Sequence, residues 1–168
     1  MRTPPPKVFI SADAMARVLA AHQAAVGGAK EPCGLMLGTT APTAVRIAEV
    51  KVLENVHANP DRAFLLPASG AVAAARDARE RGLTVVGVWH GHLRGPARLS
   101  ESDAAGLLSA SRAAGGEGRP VDVSYVFLVS GGGAGRARVV RGFVGRRGRP
   151  REVTVQVEIP SKRARRAG

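Results

Sequence analysis

The sequence predicts an α/β fold, a mixed β-sheet with helices packed against it. Three observations lead there. Short runs rich in Val, Ile and Leu, bounded by Gly and Pro, recur along the chain as strands do. Ala-rich stretches of helical spacing lie between them. At 168 residues the chain has the length of one domain and can bury a core.

Taken in order, Lys7 to Ile10 reads as a short first strand. Ser11 is an N-cap for a helix over Ala12 to Val26, with Met15, Val18, Leu19, His22 and Val26 on one stripe. His22 on that stripe is read as a packed histidine. Gly27-Gly28 stops the helix. Gly34 to Thr39 and Ala44 to Glu54 form an antiparallel pair around Thr40-Ala41-Pro42-Thr43. Asn55 to Pro60 is a loop, and its His57 is given no role. Pro67 to Arg81 is the second helix, closed by Gly82. Leu83 to Trp89 is apolar and β-branched, a buried strand. Ser100 to Ala114 is the third helix. Asp122 to Val129 and Arg136 to Val144 are strands around a glycine-rich turn. Glu152 to Ile159 alternates as one edge strand would, and Ser161 to Gly168 is a disordered tail. The expected domain covers residues 1–160, with the basic tail at 161–168.

Composition narrows the classes. No run approaches the ~20 apolar residues of a membrane span. The N-terminus lacks the apolar core of a signal peptide, so a cytoplasmic protein is expected. Cys33 is the one cysteine, which excludes an internal disulfide and a thiolate zinc cluster; it is read as a small core residue. The net charge is +12, and eleven Lys/Arg against two acids fall between Arg136 and Gly168. That end attracts polyanions or an acidic surface, or is simply solvated.

The chemistry concentrates after the histidine strand. His90 and His92 lie two residues apart, so on an extended chain both imidazoles face one way. A Gly/Pro loop follows, and Ser100 opens a helix with Asp103 one turn in. Two imidazoles and a carboxylate that converge suit a zinc ion with three protein ligands and a fourth position for water. Ser100-x-x-Asp103 is equally a capping box, which accounts for that pair without any metal.

His90-x-His92, seven residues, Ser100, two residues, Asp103 resembles the motif of the JAMM (MPN+, JAB1-type) zinc metalloproteases, in their compact prokaryotic form. Glu31-Pro32-Cys33-Gly34-Leu35-Met36-Leu37-Gly38 resembles the segment that carries their upstream glutamate. The likeness runs from about Val8 to about Gly145. Two loop positions depart from the common pattern: Gly91 stands where Ser or Thr is frequent, and Leu93 where Pro is. Leu99 also replaces a frequent Pro.

The resemblance implies a cytidine-deaminase-like α/β sandwich and Zn2+ held by His90, His92 and Asp103. It implies that Glu31 is not a ligand but works as general base and then acid, and that Ser100 donates to the oxyanion. The implied reaction is hydrolysis of a peptide or isopeptide bond after the C-terminal glycine of a ubiquitin-like or sulfur-carrier protein. Long insertions that recognise ubiquitin chains are missing, which favours a small carrier. Its tail would pair with a sheet edge, either the strand of Met36 or the loop from Leu93 to Leu99, with Arg94 and Arg98 beside it. Three other readings stay open: a non-catalytic MPN-type scaffold, a nucleic-acid-associated protein suggested by the basic tail, and a small-molecule amidase sharing the site. No aromatic stacking platform supports the second of these.

Overall fold

The computed structural model describes residues 6–115, 125–132, 138–146 and 148–160. The expected disordered tail, residues 133–135 of the glycine-rich turn, residues 122–124 of the expected strand from Asp122 and residues 136–137 of the one from Arg136 fall outside them. Eight strands form one sheet: β1 (Lys7–Ser11), β2 (Cys33–Ala41), β3 (Ala44–Leu53), β4 (Thr84–Gly91), β5 (Val126–Gly131), β6 (Val139–Arg146), β7 (Arg149–Val153) and β8 (Val155–Glu158). The helices are α1 (Ala12–Ala25), α2 (Ala68–Glu80) and α3 (Glu101–Gly115). The strand order is β7-β6-β5-β4-β2-β3-β1-β8. Parallel pairs (β1 with β3 and β8, β4 with β5) and antiparallel pairs make the sheet mixed, as the sequence predicts.

Each face of the sheet has its own core. Val18, Ile10, Met36, Ile47, Val86, Trp89 and Leu128 pack on the side of α1. Leu35, Leu37, Ala78, Val88, Leu107, Phe127 and Val129 pack on the side of α2 and α3. α1 starts where expected, with the Ser11 hydroxyl accepting from the Ala14 N–H. Its buried line is Ala14, Val18 and His22, an i, i+4 row; Leu19 is 37 % exposed at the rim and Val26 lies past the last turn. The predicted stripe was therefore too wide by those two residues.

Two further expectations are corrected. Glu152 to Ile159 is not one edge strand. It breaks at Thr154: Val153 pairs with Gly142 on β6, and Val155 pairs with Val8 on β1. Those strands lie at opposite ends of the order, so the sheet curls until its two edges are joined through a single residue. Gly142 makes room for the bend, since a Cβ there would lie 2.6 Å from Val155 Cγ2. The strand of Met36 is no free edge either, because β2 is paired to β3 on one side and β4 on the other.

A bulge in β4 decides which face the histidines see. The register with β2 shifts between Met36 and Leu37, so Val86 has no partner between Val85 and Gly87. A bulge inserts one residue and reverses the alternation beyond it. Val86 and Trp89 consequently both face α1, while Val88 faces α2 and α3. Behind the strand end, Trp89 Nε1–H donates to Ser130 Oγ (2.9 Å), and the same hydroxyl lies 2.6 Å from His22 Nδ1. All three side chains are fully buried.

Burial lowers the His22 pKa from 6.5 to about 4, with the Arg138 charge and His92 adding to it. Between those two values the unfolded chain binds a proton that the folded chain refuses. Stability is therefore complete above the unfolded value and drains away as the pH falls toward the folded one. Urea unfolding of the wild type should lose about 3 kcal/mol more between neutral pH and pH ~4 than unfolding of His22→Gln. Equal losses in both proteins would contradict a buried neutral imidazole.

Candidate metal centre

His90 is the last residue but one of β4, and His92 follows just after the strand. Beyond the bulge, His90 shares the parity of Val88, so it points toward α3. It is fully buried, its ring stacked on Phe64 with centroids 4.4 Å apart and planes at 16°. The His92 main-chain N–H donates to Ser130 O at 2.8 Å, which carries the strand line one residue further. His92 Nδ1 lies 2.9 Å from Pro96 O. A carbonyl only accepts, so Nδ1 holds the proton and Nε2 is left with its lone pair. The loop that supplies Pro96 is seated on β5: Gly132 N–H donates to Gly95 O, and a Cβ on Gly131 would collide with the backbone of residues 95–97.

α3 delivers the carboxylate. Ser100 N–H donates to Asp103 Oδ2 at 2.9 Å and Asp103 N–H donates to Ser100 Oγ at 3.0 Å, a reciprocal cap. The same Oδ2 lies 3.2 Å from His90 Nε2 and 3.4 Å from His92 Nε2, and the two Nε2 atoms are 3.1 Å apart. Burial alone would raise the Asp103 pKa. The two imidazoles and the Ser100 N–H outweigh it and hold the carboxyl well below the usual carboxylate range. Burial holds the His90 pKa down, whereas Asp103 raises that of His92.

These residues fit a cation. Donors ~2.0–2.2 Å from a tetrahedral zinc stand ~3.3–3.6 Å from one another, close to the 3.1, 3.2 and 3.4 Å found here. Two Nε2 atoms facing each other at 3.1 Å also need a proton or a cation between them.

Glu31 comes from the segment between α1 and β2. Its carboxylate groups with His90 and His92, the ligand atoms all within 4.8 Å of one another, and this Glu/His/His group could hold a metal ion. Burial raises its pKa from 4.5 to about 7; the His92 charge opposes the shift, and Asp103 and Asp61 add to it. Ser100 is exposed at the mouth. Its oxygen is used as the cap acceptor, which leaves its O–H free to donate. The structure thus brings Glu31, His90, His92 and Asp103 together, with Ser100 on the rim.

Cys33 is directly opposite His90 in the β2–β4 register, yet its thiol points to Leu53 O at 3.6 Å, as befits a buried core residue. His57 Nδ1 accepts from the Asn59 N–H within its own turn. Three contributors escaped the sequence reading. Phe64 covers His90, Asn55 binds the main chain of Glu31, and Ser130 ties Trp89 and His22 behind the strand. Only for Asn55 is there a local signal, an Asn heading a turn-rich run that ends in Asn59-Pro60-Asp61.

A family model described as prokaryotic homologs of the JAB domain matches residues 12–139. Among solved structures, protein DSY2949 from Desulfitobacterium hafniense superposes with a TM-score of 0.68 at 20 % identity, covering 93 % of this chain and 96 % of that one. A protein from Salinibacter ruber (strain DSM 13855) gives 0.58 at 23 % identity, covering 91 % and 93 %. Both likenesses concern the fold. A comparison with curated proteins finds no match. Among the described residues, no helix is long and apolar enough to cross a membrane.

The glycine between the histidines has a steric cause. A Cβ on Gly91 would lie 2.7 Å from His22 Nδ1, 2.8 Å from Pro32 Cγ and 3.0 Å from Ser130 Oγ. The imidazole of α1 occupies the room a side chain would need. Gly91→Ser should cost about 1–3 kcal/mol by overpacking, and His22→Ala should relieve much of that cost. A double-mutant cycle from urea unfolding checks this; an identical cost in both backgrounds would show that His22 is not the obstacle.

Proposed function

The chain belongs to the family of prokaryotic homologs of the JAB domain, and on that premise we propose that it is a zinc-dependent peptidase or isopeptidase. Its proposed substrate is the bond after the C-terminal glycine of a ubiquitin-like or sulfur-carrier protein. The observation that carries the reading is the triangle of His90 Nε2, His92 Nε2 and Asp103 Oδ2 with the buried Glu31 carboxylate beside it. In this reading His90, His92 and Asp103 are the ligands. Bound zinc supplies Lewis-acid activation of water near neutral pH.

Glu31 takes a proton from the attacking water and returns it to the leaving amine. Its burial keeps bulk solvent from competing for that proton. The Ser100 O–H donates to the oxyanion of the tetrahedral intermediate, and loss of such a donor typically costs ~2.7–4 kcal/mol of barrier. Asp103 and Pro96 fix the orientation of the imidazoles.

Access to the site supports this substrate class. His90 is fully buried, Asp103 and Glu31 are 9 % and 7 % exposed, and only His92 and Ser100 reach outward. A bond can enter such a recess only on a thin stretch of chain with little side-chain bulk, which a glycine-ended carrier tail provides. With β2 paired on both sides, the loop from Leu93 to Leu99 is the remaining candidate for backbone pairing with that tail.

Zinc-loaded protein incubated with carrier-protein fusions should release the carrier cleaved after its terminal glycine, read by mass spectrometry. Chelation should stop the reaction and zinc restore it. Glu31→Gln should keep its zinc and lose about 10²-fold or more in kcat. Full activity of metal-free protein, or a wild-type rate for Glu31→Gln, would overturn the proposal.

A further inference from the structure

Glu31 lies in no helix or strand, yet its position relative to β4 matters at the ångström level. One tether is local: Gly91 N–H donates to Pro32 O at 2.9 Å. The other comes from the connection between β3 and α2, residues 54–67. Glu31 N–H donates to Pro60 O at 2.6 Å, and Glu31 O accepts from Asn55 Nδ2 at 3.1 Å. Both main-chain groups of the acid are therefore held by that connection rather than by the sheet.

Asn55 is the hub of the connection and is 5 % exposed. Its Nδ2 also donates to Pro60 O (3.2 Å) and Ala63 O (2.9 Å). Its Oδ1 accepts from the N–H groups of His57 and Leu65, each at 3.0 Å. Ala63 and Leu65 flank Phe64, so the same side chain fixes the backbone that lays Phe64 on the His90 ring. Phe64 is braced from behind by the edge of Phe127, centroids 6.4 Å apart at 66°. This contact stands in for a missing one. A ligand imidazole ordinarily has its second nitrogen hydrogen-bonded, but His90 Nδ1 is buried without such a partner among the described residues. Aromatic packing orients the ring instead.

We propose that Asn55 is a positioning residue that sets the spacing between the Glu31 carboxyl and the His90 ring through the loop it closes. A mere loop clasp would need only its bonds to residues 57, 60, 63 and 65. The bond to Glu31 O reaches across to another segment and has no part in closing the loop. Asparagine suits the place, since its two N–H donors are shared among three carbonyls while its oxygen accepts from two amides. Aspartate would turn a carboxylate on those carbonyls. The part about turnover rests on the hydrolase reading; the part about geometry does not.

The test is Asn55→Ala in the full chain, followed by three readouts. Hydrogen exchange at the Glu31 amide should quicken about tenfold or more. Zinc affinity, from competition with a chromophoric chelator, should fall far less than in His90→Ala, because the end of β4, the residue after it and α3 still carry the three donors. On a carrier-protein fusion, kcat should fall about 10²-fold with KM little changed, as expected for a misplaced proton carrier. A Glu31 amide that exchanges at the wild-type rate, or zinc affinity lost as fully as in His90→Ala, would overturn the assignment. If wild type itself cleaves no fusion, the hydrolase reading fails while exchange and zinc binding still decide the role of Asn55. If Asn55→Ala does not fold, the wild type decides by NMR. The Asn55 side-chain amide protons and the Glu31 N–H should both persist in D2O; prompt exchange of either would refute the tether.

Discussion

The site depends on one oxygen atom. Asp103 Oδ2 accepts the Ser100 N–H that starts α3, and the same atom faces both imidazoles. A carboxylate at a helix N-terminus is favoured by the unpaired N–H groups and the dipole of that helix. The cap therefore holds the acid in place, while the two imidazoles, with a smaller share from the Ser100 N–H, keep it ionised. The capping reading and the ligand reading of Ser100-x-x-Asp103 are compatible: the local bond that begins the helix also aims the charge.

The opposite wall is built by apolar and neutral groups. Trp89, Ser130 and His22 form a buried cluster on the α1 face, directly behind the strand end that carries His90 and His92. Ser130 is used twice. Its hydroxyl meets Trp89 and His22, while its carbonyl holds the His92 N–H. Displacement of the strand end would break a bond of the sheet ladder and the buried bonds behind it at once, and buried groups left unpaired are costly. Gly91 is the residue that lets the two layers approach this closely. Its departure from the common family pattern is thus matched by an imidazole on another element.

Much of this was legible in the chain because it is local. Period-two alternation and the two-residue spacing place both imidazoles on one side, and a serine three residues before an acid marks the start of α3. The mixed α/β architecture follows from the succession of apolar runs and Ala-rich stretches. The illegible features all need a partner distant in sequence. Val153-Thr154-Val155 has the pattern of an unbroken strand, and only Gly142 on another strand permits its bend. The bulge at Val86 shows only when β4 is laid against β2. Asn55 looks like an ordinary loop residue until Glu31, 24 positions away, supplies the carbonyl it binds. Phe64 likewise reads as one more apolar residue, since nothing in its neighbourhood along the chain points to His90.

Zinc K-edge absorption of the zinc-loaded protein tests most directly whether the Asp103 oxygen and the two imidazoles form one cation seat. The account predicts nitrogen and oxygen neighbours at ~2.0–2.2 Å with the outer-ring scattering of two histidines. A sulfur neighbour at ~2.3 Å, drawn from Cys33, or a zinc environment without histidine scattering would contradict it.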